Sequence, residues 1–201
     1  MTQQNRQVYV ATTNTRYGKV PNVSLVPIND CGVNSNYCSF KCYGARNYRM
    51  YKATRNAWNA NSQQFRQNPF EACRQVEQQL RKRRQITSMF RIHVAGDFIG
   101  QKHVDAWSEL ANRLPSTKFL SYTKMDTLDF SQRPDNFEVI ASQWPEAPLL
   151  TIKGVKRNAW IAYDKRRPPN DFQCRFDIDK TTCDVCRFCW FGSGDVSLRL
   201  F

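Results

Sequence analysis

The chain has 201 residues, 41% of them hydrophobic and 13% aromatic, and its formal net charge is +13 at pH 7. This length fits one domain, residues 1–201, with enough apolar content for a core that needs no covalent cross-links. No run approaches the roughly 20 apolar residues of a membrane span, and the polar amino terminus lacks a signal-peptide core, so we expect a cytoplasmic protein with no membrane partner.

The hydrophobic pattern predicts strands that alternate with helices. The first strand is predicted at residues 22–28, where it leads into a loop at 30–43 that contains three cysteines. The helical spacing of aromatic residues predicts a helix over 45–65. The remaining predicted elements are, in chain order, a helix from Asn68-Pro69 to about residue 84, a strand at 88–98, a helix at 101–113, and strands at 117–124, 136–142 and near Leu149.

Strands and helices in this order predict an α/β fold, either a partial (βα) barrel or an open parallel sheet. The α/β core is assigned to residues 22–155. After Lys156 the pattern gives way to a stretch rich in Pro, Asp and Arg. Residues 156–201 are therefore predicted to form an irregular, cysteine-rich metal-binding segment. Functional groups of such folds collect at the carboxyl ends of the strands, where loop 30–43 and residues 96–98 would lie.

Four cysteines near the carboxyl end have the spacing of an iron–sulfur site. Cys183, Cys186 and Cys189 form C-x2-C-x2-C, which matches the first three ligands of the bacterial ferredoxin pattern. Cys174, nine positions earlier, could complete the ligation. We call these four residues the carboxyl-terminal cysteine group and predict that they hold a closed 4Fe-4S cluster. Zinc is the alternative metal at this site.

Three further cysteines, Cys31, Cys38 and Cys42, have the spacing C-x6-C-x3-C and are called the amino-terminal cysteine group. Thiols of a reducing cytosol bind metal more readily than they pair as disulfides. Three protein ligands on a four-iron cluster leave one iron open to a small molecule, which suggests chemistry at this site. Cys73 lies among apolar residues of a predicted helix and is interpreted as a packing residue.

His93 and Asp97 lie at the end of a predicted strand and are the candidate catalytic residues. The histidine could donate to a cluster sulfide or ligate the open iron, and the carboxylate could orient a substrate. In the alternative interpretation, His93 is a packed strand residue and Asp97 caps the next helix.

The positive charge makes a nucleic acid the alternative partner. Lys and Arg are spread along the chain, and the most basic stretch also contains aromatic residues, a mixture that suits phosphate contacts and base stacking. The alternative function is therefore a nucleic-acid-binding module with structural metal. A solvated helix face explains the same charges. The residues concerned are Arg46, Arg49, Arg55, Arg66, Arg81, Lys82, Arg83 and Arg84, with Tyr48, Tyr51 and Trp58.

Four motifs occur in the order typical of the phage gene product 88 family, which this sequence resembles. They are SLVP at 24–27, CYG at 42–44, HVAGDF at 93–98 and CDVCRFCW at 183–190. The resemblance implies a phage origin, and hence the host cytoplasm as location. It also implies an iron–sulfur protein related to the radical S-adenosylmethionine folds.

A first strand, a three-cysteine loop and alternating strands and helices also resemble the radical S-adenosylmethionine enzymes. In that family the loop is C-x3-C-x2-C, and the open iron chelates the amine and carboxylate of the methionyl group. The spacing here differs at both intervals. The resemblance implies S-adenosylmethionine as a small-molecule partner, and redox or radical chemistry on a small-molecule substrate.

Overall fold

A six-stranded, all-parallel sheet that curls into a half-barrel forms the centre of the protein. This computed structural model describes residues 7–32, 36–82 and 88–199. The strand order is β1-β2-β3-β4-β6-β5. Neighbouring strands are consecutive in the chain from β1 to β4, and β6 lies between β4 and β5. The strands are β1 Met89–Arg91, β2 Lys118–Thr123, β3 Phe137–Ser142, β4 Arg157–Ile161, β5 Phe172–Gln173 and β6 Val196–Leu198.

In the described residues, four longer α-helices and three short ones accompany the sheet. The long ones are α1 Tyr43–Met50, α2 Lys52–Gln67, α3 Pro69–Lys82 and α4 Gln101–Arg113. The short ones are α5 Arg175–Asp179, α6 Cys183–Cys186 and α7 Phe188–Phe191. No helix in the described ranges has both the length and the apolarity that crossing a membrane requires.

The two faces of the sheet pack against different parts of the chain. Side chains alternate along a strand, so Phe119 of β2 joins the large core beneath α2, α3 and α4, whereas Leu120 points the other way. Leu120 packs with Trp190 of α7 in a second core, which Cys183 and Cys189 border. The carboxyl-terminal segment therefore covers the face that the long helices leave free.

The prediction of a partial (βα) barrel is confirmed, and so are several of its elements. Strands β2 and β3 and helix α4 lie where the sequence placed them. Cys73 is 1% exposed within the large core, as its interpretation as a packing residue required. The helix predicted to reach residue 84 extends at least to Lys82, and its expected end lies in residues 83–87, outside the described residues.

Three details of the prediction were wrong. The single helix expected over 45–65 is two helices, because Tyr51 adopts an extended conformation (φ −115°, ψ 112°) between α1 and α2. No strand forms near Leu149, where the amide of Gln143 bonds both backbone groups of Leu150. The segment after Lys156, expected to lack strands, contains β4, β5 and β6. The division into units 22–155 and 156–201 stays a prediction, although the sheet continues across it.

The strand predicted at 22–28 runs beside β1 without forming a regular strand. Its backbone bonds that of β1 and the following loop, through Val23 N to Arg91 O (3.2 Å) and Leu25 N to Ala95 O (2.9 Å). It ends at Ile28, whose φ of 71° is unusual for a β-branched residue. The chain turns there into the loop of the amino-terminal cysteine group, so this segment sets the position of that loop at the edge of the sheet.

Candidate metal centres

The amino-terminal cysteine group lies in the loop between segment 22–28 and helix α1. Cys42 is the N-cap of α1, and its Sγ accepts a hydrogen bond from Ala45 N at 3.4 Å. The thiols of Cys31 and Cys38 each interact electrostatically with that of Cys42. The sulfur of Cys42 thus caps the first turn of α1, which fixes its position at the end of the cysteine loop.

The loop before Cys31 is anchored by the buried carboxylate of Asp30. Its Oδ1 accepts from Arg66 Nε at 2.8 Å, and its Oδ2 accepts from Val26 N at 3.1 Å. The backbone oxygen of Asp30 also accepts from Asp97 N at 2.8 Å. Helix α2, segment 22–28 and the loop after β1 therefore all hold this loop in place, which compensates for the backbone strain at Ile28.

Asp97 has its carboxylate engaged in the fold. Its Oδ1 accepts from Phe98 N and Thr123 Oγ1, and its Oδ2 accepts from Lys124 N, each at 2.8 Å. Burial raises the pKa of Asp97, while these bonds oppose that shift. The charge of Asp97 also contributes to the raised pKa of Cys31, so the carboxylate lies near the cysteine group. It is tied to the carboxyl end of β2, and its catalytic role stays a prediction.

His93 lies in an aromatic cluster on the helix side of the sheet. Its ring meets those of Phe98 and His103 at centroid distances of 4.9 Å each, and it also packs near Phe65 and Trp107. It is 2% exposed, and burial holds its pKa well below the usual value. No hydrogen bond among the described residues joins either ring nitrogen to a cysteine or any other group. Its catalytic role stays a prediction.

Lys124 is a residue of this site that the sequence did not single out. It follows β2, and its Nζ lies 3.0 Å from Ser142 Oγ at the end of β3. Its charge acts on Cys31 and Cys38, and it hydrogen-bonds the thiol of Cys38. A cation beside sulfur ligands would stabilise their anionic form. The available signal was its place at the carboxyl end of a predicted strand.

The carboxyl-terminal cysteine group is distributed over three short helices. Cys174 precedes α5, Cys183 and Cys186 bound α6, and Cys189 lies in α7. The thiol of Cys183 interacts electrostatically with those of Cys174 and Cys189. Cys186 instead lines a surface cleft of 520 Å³ with Arg175 and Phe188. Electrostatic interactions thus link three of the four thiols, and Cys186 lines the cleft.

Cations and a phenol surround these thiols. Arg16 Nη2 lies 3.1 Å from Cys174 Sγ, and the hydroxyl of Tyr122 lies 3.0 Å from Cys189 Sγ. Arg157 Nη1 donates to the backbone oxygen of Cys189 at 3.0 Å. Burial raises the pKa of Cys183 to about 12, a shift that its neighbouring thiols reinforce. A bound metal overcomes such a shift because it takes the thiolate directly.

Residues 11–22 hold the carboxyl-terminal group from the other end of the chain. Cys183 N donates to Arg16 O at 3.0 Å, and Lys19 N donates to Asp184 Oδ2 at 3.0 Å. Arg16 also forms an ion pair of 3.1 Å with Asp177 in α5. We call residues 11–22 the amino-terminal clamp. Its role could not be read from the sequence, because more than 150 residues separate it from its partners.

Metal binding by the two cysteine groups stays a prediction. All eight cysteines are free thiols. Within the described ranges, no set of three or more His, Cys, Asp and Glu side chains is arranged to hold one metal ion. A four-iron cluster would place each thiolate on a different iron, so it would not require the thiols to converge on one point.

Comparisons with known proteins agree on one family. The family model described as "Gene product 88" matches residues 1–192. The "Gene 88 protein" of Mycobacterium phage L5 is 30% identical over 132 residues, which cover 57% of this chain and 55% of that protein. The aligned part thus spans about half the length of this curated relative. No solved structure matches the chain.

Proposed function

Because the chain belongs to the gene product 88 family, and because seven of its eight free cysteines fall into two closely spaced groups along the sequence, we propose that it is a phage iron–sulfur protein with two 4Fe-4S clusters. The observation that carries this proposal is the carboxyl-terminal group. Arg16 and Tyr122 lie within hydrogen-bond distance of two of its sulfurs and could donate to metal-bound thiolates, while burial makes an isolated thiolate at Cys183 unfavourable.

The carboxyl-terminal cluster would be closed, with Cys174, Cys183, Cys186 and Cys189 as its ligands. Four thiolates leave no iron free for a substrate, so its role would be structural or electron transfer. Cys186, beside the surface cleft, would be the ligand nearest to an external electron donor. Zinc at this group is the competing assignment, and metal analysis distinguishes the two.

The amino-terminal cluster would be held by Cys31, Cys38 and Cys42 and would keep one iron open. When bound, such a cluster supplies electrons and a coordination site for a small molecule. S-adenosylmethionine is the partner that the architecture favours, and redox or radical chemistry is the corresponding reaction class. Lys124 would stabilise the thiolates of Cys31 and Cys38, and Asp97 would hold the end of β2 against the loop.

Iron and sulfide analysis of anaerobically prepared protein tests the proposal. We expect about eight irons and eight sulfides per chain, four of each per cluster. Replacing Cys31, Cys38 and Cys42 by Ala should halve both numbers, and so should replacing the four carboxyl-terminal cysteines. Cys73→Ala is the matched control, because that buried thiol lies in the large core. Colourless protein without iron, or with zinc in the carboxyl-terminal group, would contradict the proposal.

Calorimetry tests the small-molecule partner separately. S-adenosylmethionine should bind the reconstituted protein, and it should bind the variant that lacks the carboxyl-terminal cysteines equally well. The variant that lacks Cys31, Cys38 and Cys42 should not bind it. Equal binding by all three proteins would place the ligand away from the open cluster.

A second candidate function is binding of single-stranded nucleic acid. Residues 31–70 contain six basic residues and no acidic one. Large apolar side chains are exposed along the same stretch, namely Phe40 (73%), Met50 (57%) and Tyr51 (54%). Exposed aromatic rings beside exposed cations such as Arg46 and Arg49 are typical of surfaces that stack bases and bind phosphates.

The salt dependence of binding tests this second function. The affinity of a fluorescent single-stranded oligonucleotide should fall with ionic strength, with a log–log slope of about −0.7 per phosphate contact. Arg46→Gln and Arg49→Gln should weaken binding and reduce this slope. Arg74→Gln and Arg81→Gln are the matched controls, because these arginines pair with Glu71 and Glu77 on α3. Equal losses in both pairs would indicate non-specific attraction by net charge.

A further inference from the structure

A buried arginine, Arg91, has hydrogen-bonding groups that the described protein leaves unused. It ends β1 and is 3% exposed. Its Nε and Nη1 are buried and have no hydrogen-bond partner in the described part of the chain. None of the ion pairs found there includes Arg91. An unpaired buried charge is destabilising, so a guanidinium in this position favours an anion close to it.

The surroundings of Arg91 point to the carboxyl-terminal cysteine group. Its guanidinium lies 4.2 Å from the ring centre of Tyr122, whose hydroxyl is 3.0 Å from Cys189 Sγ. The ring of Tyr17 lies on another side, at 6.0 Å. The charge of Arg91 acts on the thiols of Cys183 and Cys189. The thiols that interact electrostatically with Arg91 therefore belong to the carboxyl-terminal cysteine group, and the other acidic groups that do so are phenols.

We propose that Arg91 is a positioning residue for the carboxyl-terminal cluster, and that its guanidinium supplies the positive charge and N–H donors that hold the cluster and raise its reduction potential. The inference rests on the proposed function, since it requires a cluster on Cys174, Cys183, Cys186 and Cys189. Arg91 lies 92 positions before Cys183, the first cysteine of the C-x2-C-x2-C motif in the sequence.

The direction of the effect follows from charge. Reduction adds an electron to a cluster that four thiolates already make anionic, so a nearby cation stabilises the reduced form more than the oxidised form. Hydrogen bonds to the sulfurs act in the same direction. The stacked phenol rings exclude water from the guanidinium, which strengthens both interactions. Without Arg91 the cluster should be harder to reduce.

Potentiometry of a protein with one cluster tests the role of Arg91. In a full-length parent with Cys31, Cys38 and Cys42 replaced by Ala, the midpoint potential of the carboxyl-terminal cluster is followed by electron paramagnetic resonance. Arg91→Gln should lower the reduced-to-oxidised ratio about tenfold at a given potential, which corresponds to about 59 mV for one electron. Arg91→Lys keeps the charge and should give a smaller shift.

Arg133→Gln is the matched control. Arg133 is also part-buried, but backbone oxygens of Phe130, Phe137 and Gly154 accept from its guanidinium, away from the cysteines. It should change stability and leave the potential unchanged. An Arg91→Gln protein with full iron and sulfide and an unchanged potential would overturn the proposal. Loss of iron from Arg91→Gln with retention in Arg133→Gln, at equal helical content, would support it.

The same measurements separate this inference from the proposed function. A parent protein that contains no iron and no sulfide overturns the cluster itself, and the role of Arg91 with it. A parent that contains the cluster, combined with an unchanged potential in Arg91→Gln, overturns the role of Arg91 alone.

Discussion

The hydroxyl of Tyr122 is the closest hydrogen-bond donor to the thiol of Cys189, at 3.0 Å from Sγ. Its ring also forms one wall of the Arg91 site, with the guanidinium 4.2 Å away. The sulfur and the buried cation are thus connected through a single side chain. Tyr122 can contact both Cys189 and Arg91 because alternate residues of β2 point to the face that the carboxyl-terminal segment covers.

Replacing Tyr122 by Phe removes one O–H···S hydrogen bond and keeps the ring. We expect a lower midpoint potential for the carboxyl-terminal cluster, by less than in Arg91→Gln, because a dipole is lost and the charge remains. The measurement is the same potentiometric titration in the one-cluster parent. Tyr163→Phe is the control, since Tyr163 is 54% exposed. A potential that does not change in Tyr122→Phe would show that the hydroxyl does not bond the metal-bound sulfur.

At the scale of elements, Gly18 determines how closely the amino-terminal clamp approaches α6. Its φ is +63°, and a Cβ built there would lie 2.1 Å from Asp184 Oδ1. The same carboxylate accepts from Lys19 N at 3.0 Å. A side chain at position 18 would therefore both strain the backbone and push Asp184 away from the clamp.

Gly18→Ala should lower the free energy of unfolding by about 1–3 kcal/mol, the usual cost of a residue held in an unfavourable backbone region. It should also reduce iron retention in the carboxyl-terminal group, because Cys183 N bonds Arg16 O in the same clamp. Urea unfolding and iron analysis measure the two effects. Gly100→Ala is the control, since a Cβ at Gly100 meets no atom within 4 Å. Equal stability of both variants would contradict a tight approach of the clamp to α6.

The elements that the sequence predicted are those with strong local patterns. Strands β2 and β3 have runs of apolar residues between polar boundaries, and α4 repeats apolar residues at helical spacing. The strands that the sequence pattern did not predict depend on residues that are far away in the chain. β5 has two residues and β6 three, and Asn158 N of β4 is bonded by the side chain of Asp195, just before β6. Such short strands form through tertiary contacts, which no local pattern records.

The candidate sites divide in the same way. The spacing of the seven cysteines was visible in the sequence, and electrostatic interactions link most of the thiols within each group. Their supporting residues were not visible, because Arg16, Arg91 and Tyr122 come from the clamp, β1 and β2. In the sequence alone, each of these three looks like an ordinary basic or aromatic residue. The residues that support a metal site are brought to it by the topology of the chain, whereas its candidate ligands can be recognised from their local spacing.

At the scale of the whole molecule, the half-barrel separates two environments. The face toward the long helices contains an apolar core with a pair of buried histidines, and the opposite face contains the carboxyl-terminal cysteine group. Trp190 in the carboxyl-terminal segment hydrogen-bonds the sheet, because its Nε1 donates to Phe90 O at 3.1 Å. The sheet therefore lies between the carboxyl-terminal cysteine group and the large core, and the large core alone should respond to mild acid through the histidines.

His93 and His103, the chain's two histidines, should make the protein less stable in acid. Burial lowers the pKa of His103 to about 3 and holds that of His93 well below its usual value, with His103 and Arg91 adding to the latter shift. The unfolded state binds more protons than the folded state once the pH falls below about 6.5, the ordinary histidine value. Below that pH the free energy of unfolding therefore decreases as the pH falls. Each histidine contributes a decrease of up to about 1.4 kcal/mol per pH unit.

Urea unfolding between pH 4.5 and 7 measures this slope. His103→Asn should reduce it, because Asn does not titrate and its carbonyl oxygen can still accept from Ile99 N, as Nδ1 of His103 does at 3.2 Å. The paired carboxylates, such as Asp164 and Glu77, have lowered pKa values, so they lose their contribution in more acidic solution than the histidines. Wild-type and variant proteins with the same slope in this range would show that the buried pair does not govern acid stability.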